Sequence, residues 1–135
     1  LIDDSYNANP GSVAAAIDSL AAACALDKKQ SVLVLGDMAE FGETATALHA
    51  QFGLAAKTQG IALLYTCGRL SAAASAAFGP QARHFNERDE LIVALKQMAT
   101  ANQRILVKGS RSSRMDEIVK ALVLQFGSKE NTDAA

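Results

Sequence analysis

Val32-Leu33-Val34-Leu35 is apolar at every position, where a strand with one wet face would alternate with polar residues. Such a strand has to be buried on both faces, so other layers of structure must lie above and below it. Ile61 to Cys67 reads as a second buried strand, and Arg104 to Val107 as a further strand. The apolar lead Leu1-Ile2 and the short, weak segment Arg83-His84-Phe85 complete five candidate strands.

Helical spacing fills the intervals. Val13, Ile17, Leu20 and Cys24 recur on one face over residues 10–26, and Leu48, Phe52 and Ala55 do so over 44–58, which Gly60 can close. Asn9 suits an N-cap and Pro10 a first helical position. An Ala-rich helix is expected over 70–78, stopped by Gly79-Pro80. Asn86, with Asp89 three residues on, predicts a capped helix to about residue 101, with Leu91, Leu95 and Met98 inward. Ser113 and Asp116 form a capping-box pattern for a last helix through 126. This β-α alternation predicts an α/β fold: a three-layer, Rossmann-like domain with a mostly parallel sheet of about five strands, helices on both faces and right-handed crossovers. Residues 1–126 read as one domain, and 127–135, polar and small, as a disordered tail.

Composition narrows the function classes. A net charge of -1 gives no electrostatic reason to expect nucleic acid or an acidic membrane surface. No apolar run approaches the roughly 18 residues that span a bilayer. There is neither a secretory leader pattern nor an initiator Met. Cys24 and Cys67 lack metal or CxxC spacing and read as buried reduced thiols. A cytoplasmic origin is expected.

In a parallel sheet every strand-to-helix loop leaves at one edge, where open α/β sheets bind ligands. That edge collects Asp3, Asp4, Asn7 and Asn9 from the first loop. Asp37 and Glu40 come from a glycine-bounded second loop, 36–42, and Lys108, Ser110 and Arg111 from the last, 108–112. Acids on one side and a Ser/Arg helix start on the other suit a ligand with cationic and anionic ends. Amides at a helix start attract anions, and an arginine can grip a carboxylate with two hydrogen bonds. Gly109 lets the backbone approach a ligand closely.

Plainer roles compete for several of these positions. Asn9 is a cap as readily as a ligand contact, Ser112 and Ser113 suit caps, and Arg114 suits a solvated or paired site. His49 falls inside a helical pattern and reads as a packed or surface histidine rather than a base, and His84 has no partner suggesting a role. The chain has no GxxxxGK[ST] phosphate loop, no GxGxxG after its first strand, no His/Cys cluster at metal spacing and no nucleophile elbow. On its residues alone, it is one wall of an active site.

Three segments carry a resemblance: Asp3-Asp4-Ser5-Tyr6-Asn7-Ala8-Asn9-Pro10, Leu35-Gly36-Asp37-Met38-Ala39-Glu40-Phe41-Gly42 and Lys108-Gly109-Ser110-Arg111-Ser112. In this order and at loop positions, they resemble the C-terminal domain of the Mur ligase family, in its branch that adds D-alanyl-D-alanine to UDP-N-acetylmuramoyl-tripeptide. The resemblance implies an ATP-dependent amide ligase of peptidoglycan synthesis that works through an acyl phosphate. It implies ATP and Mg2+ held mainly by a central domain, and an N-terminal domain for the UDP end of the substrate, neither of which is in this chain. Carried over, Asp4 is similar to the acid that hydrogen-bonds the ATP ribose, with Asn7 and Asn9 beside the nucleotide. Asp37 and Glu40 would face the reacting centre or the dipeptide amine, and Ser110 and Arg111 would hold the dipeptide carboxylate. The family's sheet also has an antiparallel strand just before the position of Leu1. Phe41 and Asp116 depart from the family's usual Leu and Glu, leaving the loop acids and the helix cap in place.

Two other readings compete. A receiver-type phospho-acceptor module fits paired acids after the first strand and Lys108 after the last, but Thr66-Cys67-Gly68 stands where its phosphorylated aspartate belongs. Another amino-acid-adding Mur ligase would carry an Asp-Asn-Pro-Arg signature that is absent.

Overall fold

Five parallel strands form one sheet in the order β1-β5-β2-β3-β4. They are β1 (Ile2–Asp4), β2 (Gln30–Gly36), β3 (Leu63–Cys67), β4 (Ala82–Phe85) and β5 (Gln103–Lys108). The helices between and after them are α1 (Pro10–Asp27), α2 (Ala45–Thr58), α3 (Ala72–Phe78), α4 (Arg88–Met98) and α5 (Asp116–Phe126). This computed structural model describes residues 1–4, 10–110 and 113–126. The expected tail, 127–135, lies outside them.

The continuous apolar run behaves as its composition requires. Leu33 and Leu35 turn to one face of the sheet and meet Val13, Ile17 and Leu20 of α1, Phe52 and Ala56 of α2, and Ala74 and Phe78 of α3. Val32 and Val34 turn to the other, against Leu91 and Leu95 of α4 and Ile118, Val119 and Leu122 of α5. Three helices therefore cover one side and two the other, and the Rossmann-like expectation holds. No described helix is long and apolar enough to cross a membrane. Cys24 and Cys67 are buried free thiols, as expected.

Local expectations shift at several ends. The glycine-bounded loop after β2 contains a 3-10 helix, Ala39–Thr44, interrupted at Gly42, whose φ of 63° breaks the regular backbone. The buried face of α2 is Ala45, His49, Phe52, Gly53 and Ala56, while Leu48 and Ala55 sit half-buried at its margin. Small residues on that face let a neighbouring helix come close, which apolar spacing alone does not reveal. Asn86 does not cap α4: the helix starts at Arg88 after an extended Glu87 and ends at Met98, short of 101. Ser113 does not cap α5 either, since it stands three residues ahead of the helix start at Asp116, where its hydroxyl donates to the Ser110 carbonyl at 2.7 Å. Lys108, expected in an exit loop, is the last residue of β5 and fully buried.

Gly53 marks the α2–α3 crossing. A Cβ there would overlap the carbonyl of Ala74, a backbone group that cannot swing aside. Gly53→Ala is expected to lower the unfolding free energy by about 2–3 kcal/mol, the upper range for overpacking. Gly60→Ala, with nothing within 4 Å but a φ of 83°, should cost only the left-handed strain of about 1 kcal/mol. Urea unfolding of both variants tests this; equal losses would remove crowding as the cause.

Candidate functional site

β5 lies between β1 and β2, so the ends of these three strands stand side by side. Asp4 is in register with Lys108, and Lys108 with Leu35. The first, second and last sequence motifs therefore share one stretch of the sheet edge. Strand order alone brings them together.

Asp37, directly after β2, is held at both ends of its side chain and backbone. Its carboxylate accepts the amides of Ser71 at 2.8 Å and Leu70 at 3.1 Å, just before α3 begins. Ser71 occupies the N-cap position but spends its hydroxyl on the carbonyls of Cys67 (2.7 Å) and Gly68 (3.2 Å), so Asp37 supplies the cap from another strand. The backbone carbonyl of Asp37 accepts the Ser110 hydroxyl at 3.0 Å, with the Ser110 amide farther off at 3.5 Å. Ser110 is fully buried, and this bond ties the second motif to the third. Gly68 makes room for the carboxylate: its φ is 110°, and a Cβ there would stand 2.5 Å from an Asp37 oxygen.

Glycine is also required where β2 and β5 end. A Cβ on Gly36 or Gly109 would collide with the Met115 side chain and the Ser113 hydroxyl. The turn leading into α5 rests on these two bare backbones. Beside them, the Lys108 ammonium reaches under the first turn of α1 and donates to the Ser12 hydroxyl at 3.0 Å. Burying an ammonium is costly unless its surroundings are polar, so Lys108 and the start of α1 constrain one another.

On the α4/α5 side of the edge lies a cavity of about 460 Å3, lined by Asp37, Cys67, Gly68, Asn86, Glu87, Arg88, Asp89 and Ser113. Three carboxylates and one guanidinium give it an acidic balance. Arg88 is oriented by Glu117 at 3.1 Å and by the Ser113 carbonyl at 3.4 Å, while Arg114 holds the other Glu117 oxygen at 2.7 Å. Burial pushes the Cys67 thiol up, Arg88 opposes this, and Asp37, Glu87 and Glu90 reinforce it. Cys67 is thus a protonated wall, not a nucleophile.

Of the residues expected at the site, Asp37, Ser110 and Lys108 are brought together, as is Asp4 through its backbone register. Asn7, Asn9 and Arg111 lie outside the described residues, as do the side chains of Asp4 and Glu40. Sequence reasoning missed Gly68 and the stretch from Asn86 to Asp89. Its one available signal was Cys67-Gly68 ending a buried strand at the same edge.

Residues 1–111 match the family described as Mur ligase, glutamate ligase domain. The chain belongs to the Mur ligase family. Among curated Mur ligases, it is 47% identical over 124 residues to the UDP-N-acetylmuramoyl-tripeptide--D-alanyl-D-alanine ligase of Escherichia coli (strain K12), covering 90% of this chain and 26% of that protein. It is 35% identical to the enzyme of that name from Bacillus subtilis (strain 168), covering 91% and 28%. It therefore spans about a quarter of the length of these relatives. A crystal structure of MurF from Acinetobacter baumannii superposes with a TM-score of 0.74 at 26% identity, over 90% of this chain and 26% of that one. The MurF ligase of Thermotoga maritima in complex with ADP shares the fold, with a TM-score of 0.73 at 17% identity over 92% and 28%. The strand order also departs from the 2-1-3-4-5 order of receiver-type modules.

The cap supplied by Asp37 yields a stability test in this Mur ligase domain. Asp37→Ala is expected to lower the unfolding free energy by about 1–2 kcal/mol, as for loss of a helix cap. Asp37→Asn should cost less, because its amide oxygen still accepts one of the two amides. Chemical denaturation compares them, and equal losses would mean that the carboxylate does not cap α3.

Proposed function

We propose that this chain is the C-terminal domain of an ATP-dependent amide ligase that joins D-alanyl-D-alanine to UDP-N-acetylmuramoyl-tripeptide in cytoplasmic steps of peptidoglycan synthesis. The observation carrying this reading is the position of β5, which sets the Asp4, Asp37 and Ser110 segments side by side on one edge. The names of the relatives point to the same substrates.

In this reading the tripeptide carboxylate attacks the γ-phosphorus of ATP, giving an acyl phosphate and ADP. The dipeptide amine then attacks the acyl carbon, and inorganic phosphate leaves as the amide bond forms. This chain's part is positioning and exclusion of water from the acyl phosphate. Asp4 takes the ribose hydroxyls, with Asn7 and Asn9 beside the nucleotide. The acidic cavity beside Asp37 receives the amino end of the dipeptide, with Glu40 near the reacting centre. Arg111 holds the dipeptide carboxylate, and Ser110, its hydroxyl donated to the Asp37 carbonyl, fixes the backbone that precedes Arg111 in sequence. Among the described residues no cluster of three metal-ligating side chains occurs. In this reading magnesium belongs to the central domain, beside the phosphates, as does most of the ATP affinity. The remaining partners are the enzyme's own central and N-terminal domains.

In the complete ligase, Asp4→Ala is expected to raise KM for ATP. Arg111→Ala should raise KM for the dipeptide roughly tenfold or more, the scale of a lost charge-assisted hydrogen bond, with KM for ATP unchanged. Steady-state kinetics with each substrate varied separately decides the assignment; unaltered dipeptide kinetics in the Arg111 variant would refute it. Titration calorimetry of the isolated chain should show no submicromolar ATP affinity, and finding such affinity would relocate the phosphate site.

A further inference from the structure

His49 sits in the first turns of α2 with no exposed surface. Its Nδ1 lies 2.6 Å from the carbonyl of Ala45, one turn back on the same helix. Its Nε2 lies 3.1 Å from the amide nitrogen of Met38. An amide can only donate, so Nε2 is the acceptor; a carbonyl can only accept, so Nδ1 carries the proton. The two backbone groups select one neutral tautomer. The ring edge is further set by Phe52, at 5.7 Å between centroids and 61° between planes.

The Met38 N–H belongs to the same peptide group as the Asp37 carbonyl. That carbonyl accepts the Ser110 hydroxyl. One peptide plane is therefore gripped at its nitrogen end by a histidine from α2 and at its oxygen end by a serine from the β5 loop. Rotation of this plane would break both bonds and release the Ser110 hydroxyl, next to an Asp37 side chain that is itself anchored on the Ser71 and Leu70 amides at the cavity.

We infer that His49 is a positioning residue of the ligase: by accepting the Met38 amide through Nε2, it holds the Asp37–Met38 peptide in the orientation that presents the Asp37 carbonyl to Ser110 and so docks the Ser110 loop beside the cavity. It touches no substrate in this role, and its effect passes through Asp37 and Ser110 to the dipeptide side of the site. The inference rests on the dipeptide reading above for its kinetic consequence, but not for its hydrogen-bond geometry.

The two parts are tested separately. Imidazole nitrogen NMR of the 15N-histidine-labelled chain is expected to show a neutral His49 with the proton on Nδ1 and Nε2 bare. A proton on Nε2 would overturn the inference whatever the enzyme's activity. In the complete ligase, His49→Leu should raise KM for D-alanyl-D-alanine about five- to tenfold, the scale of one net hydrogen bond, with KM for ATP unmoved. His49→Gln, whose side-chain oxygen can still accept the Met38 amide, should recover most of that loss. Equal damage to both substrates, or no recovery with Gln, would reduce His49 to a packing residue. Should His49→Leu fail to fold, Ser110→Ala frees the other end of the same peptide and should give the same dipeptide-selective rise; its absence would refute the coupling. A complete protein with no ligase activity would remove the functional reading while leaving the tautomer result to stand by itself.

Discussion

The insertion of β5 between β1 and β2 is the constraint on which the site depends. Parallel pairing of β5 with both neighbours aligns Asp4, Lys108 and Leu35 in one row, and the loops beyond them have to share a single mouth. Were β5 at an outer edge, the last motif would emerge beside a different strand. The pairing is possible because β5 is apolar on both faces, with Leu106 in one core and Ile105 and Val107 in the other. A central strand has no solvent face, and this one keeps its long polar side chains at its two ends, Gln103 and Arg104 at the start and Lys108 at the last residue.

Around that row the close contacts are made by removing side chains as much as by adding them. Gly36 and Gly109 leave space for Met115 and Ser113, and Gly68 leaves space for the Asp37 carboxylate. A protein interior is packed too densely to absorb an extra methyl group at such points without moving something. The same loops are tied by polar bonds at buried and half-buried positions. Asp37 caps α3, Ser110 holds Asp37, His49 holds the next amide, and Lys108 reaches Ser12. Leaving any of these buried groups without a partner costs more than the bond itself contributes. The mouth is consequently rigid where it meets the sheet, which suits the positioning role proposed for it.

The polar contacts away from the mouth have a different character. Thr66 bridges Ser75 at 2.6 Å and His84 at 2.7 Å beneath α3, satisfying groups buried near the β4 edge. His84, which had no evident partner along the chain, is thereby part of the packing. Arg83 lies over the rings of Tyr65 and Phe85 on the opposite face. These contacts secure β4 without contributing to the cavity, whose acidic lining comes from the segment after that strand.

The sequence alone determined the layer architecture, because a run such as Val32 to Leu35 cannot be solvated on either face, and the helical spacing between such runs leaves only a covered parallel sheet. It also determined which motifs gather at one edge: those around Asp4, Asp37 and Ser110 follow strands, and parallel strands send their exit loops to the same side. Several ends were not legible. The start of α4, the failure of Ser113 as a cap, the burial of Lys108 and the small-residue face of α2 each turn on a partner far away in the chain. Nor could spacing reveal that Asn86 to Asp89 line the same cavity as Asp37, or that His49 reaches Met38, since such contacts follow from strand order and helix placement. Local patterns report what a segment must bury. Only the tertiary structure decides what it is buried against, and in this protein that choice turns one aspartate into a helix cap, a loop anchor and a cavity wall.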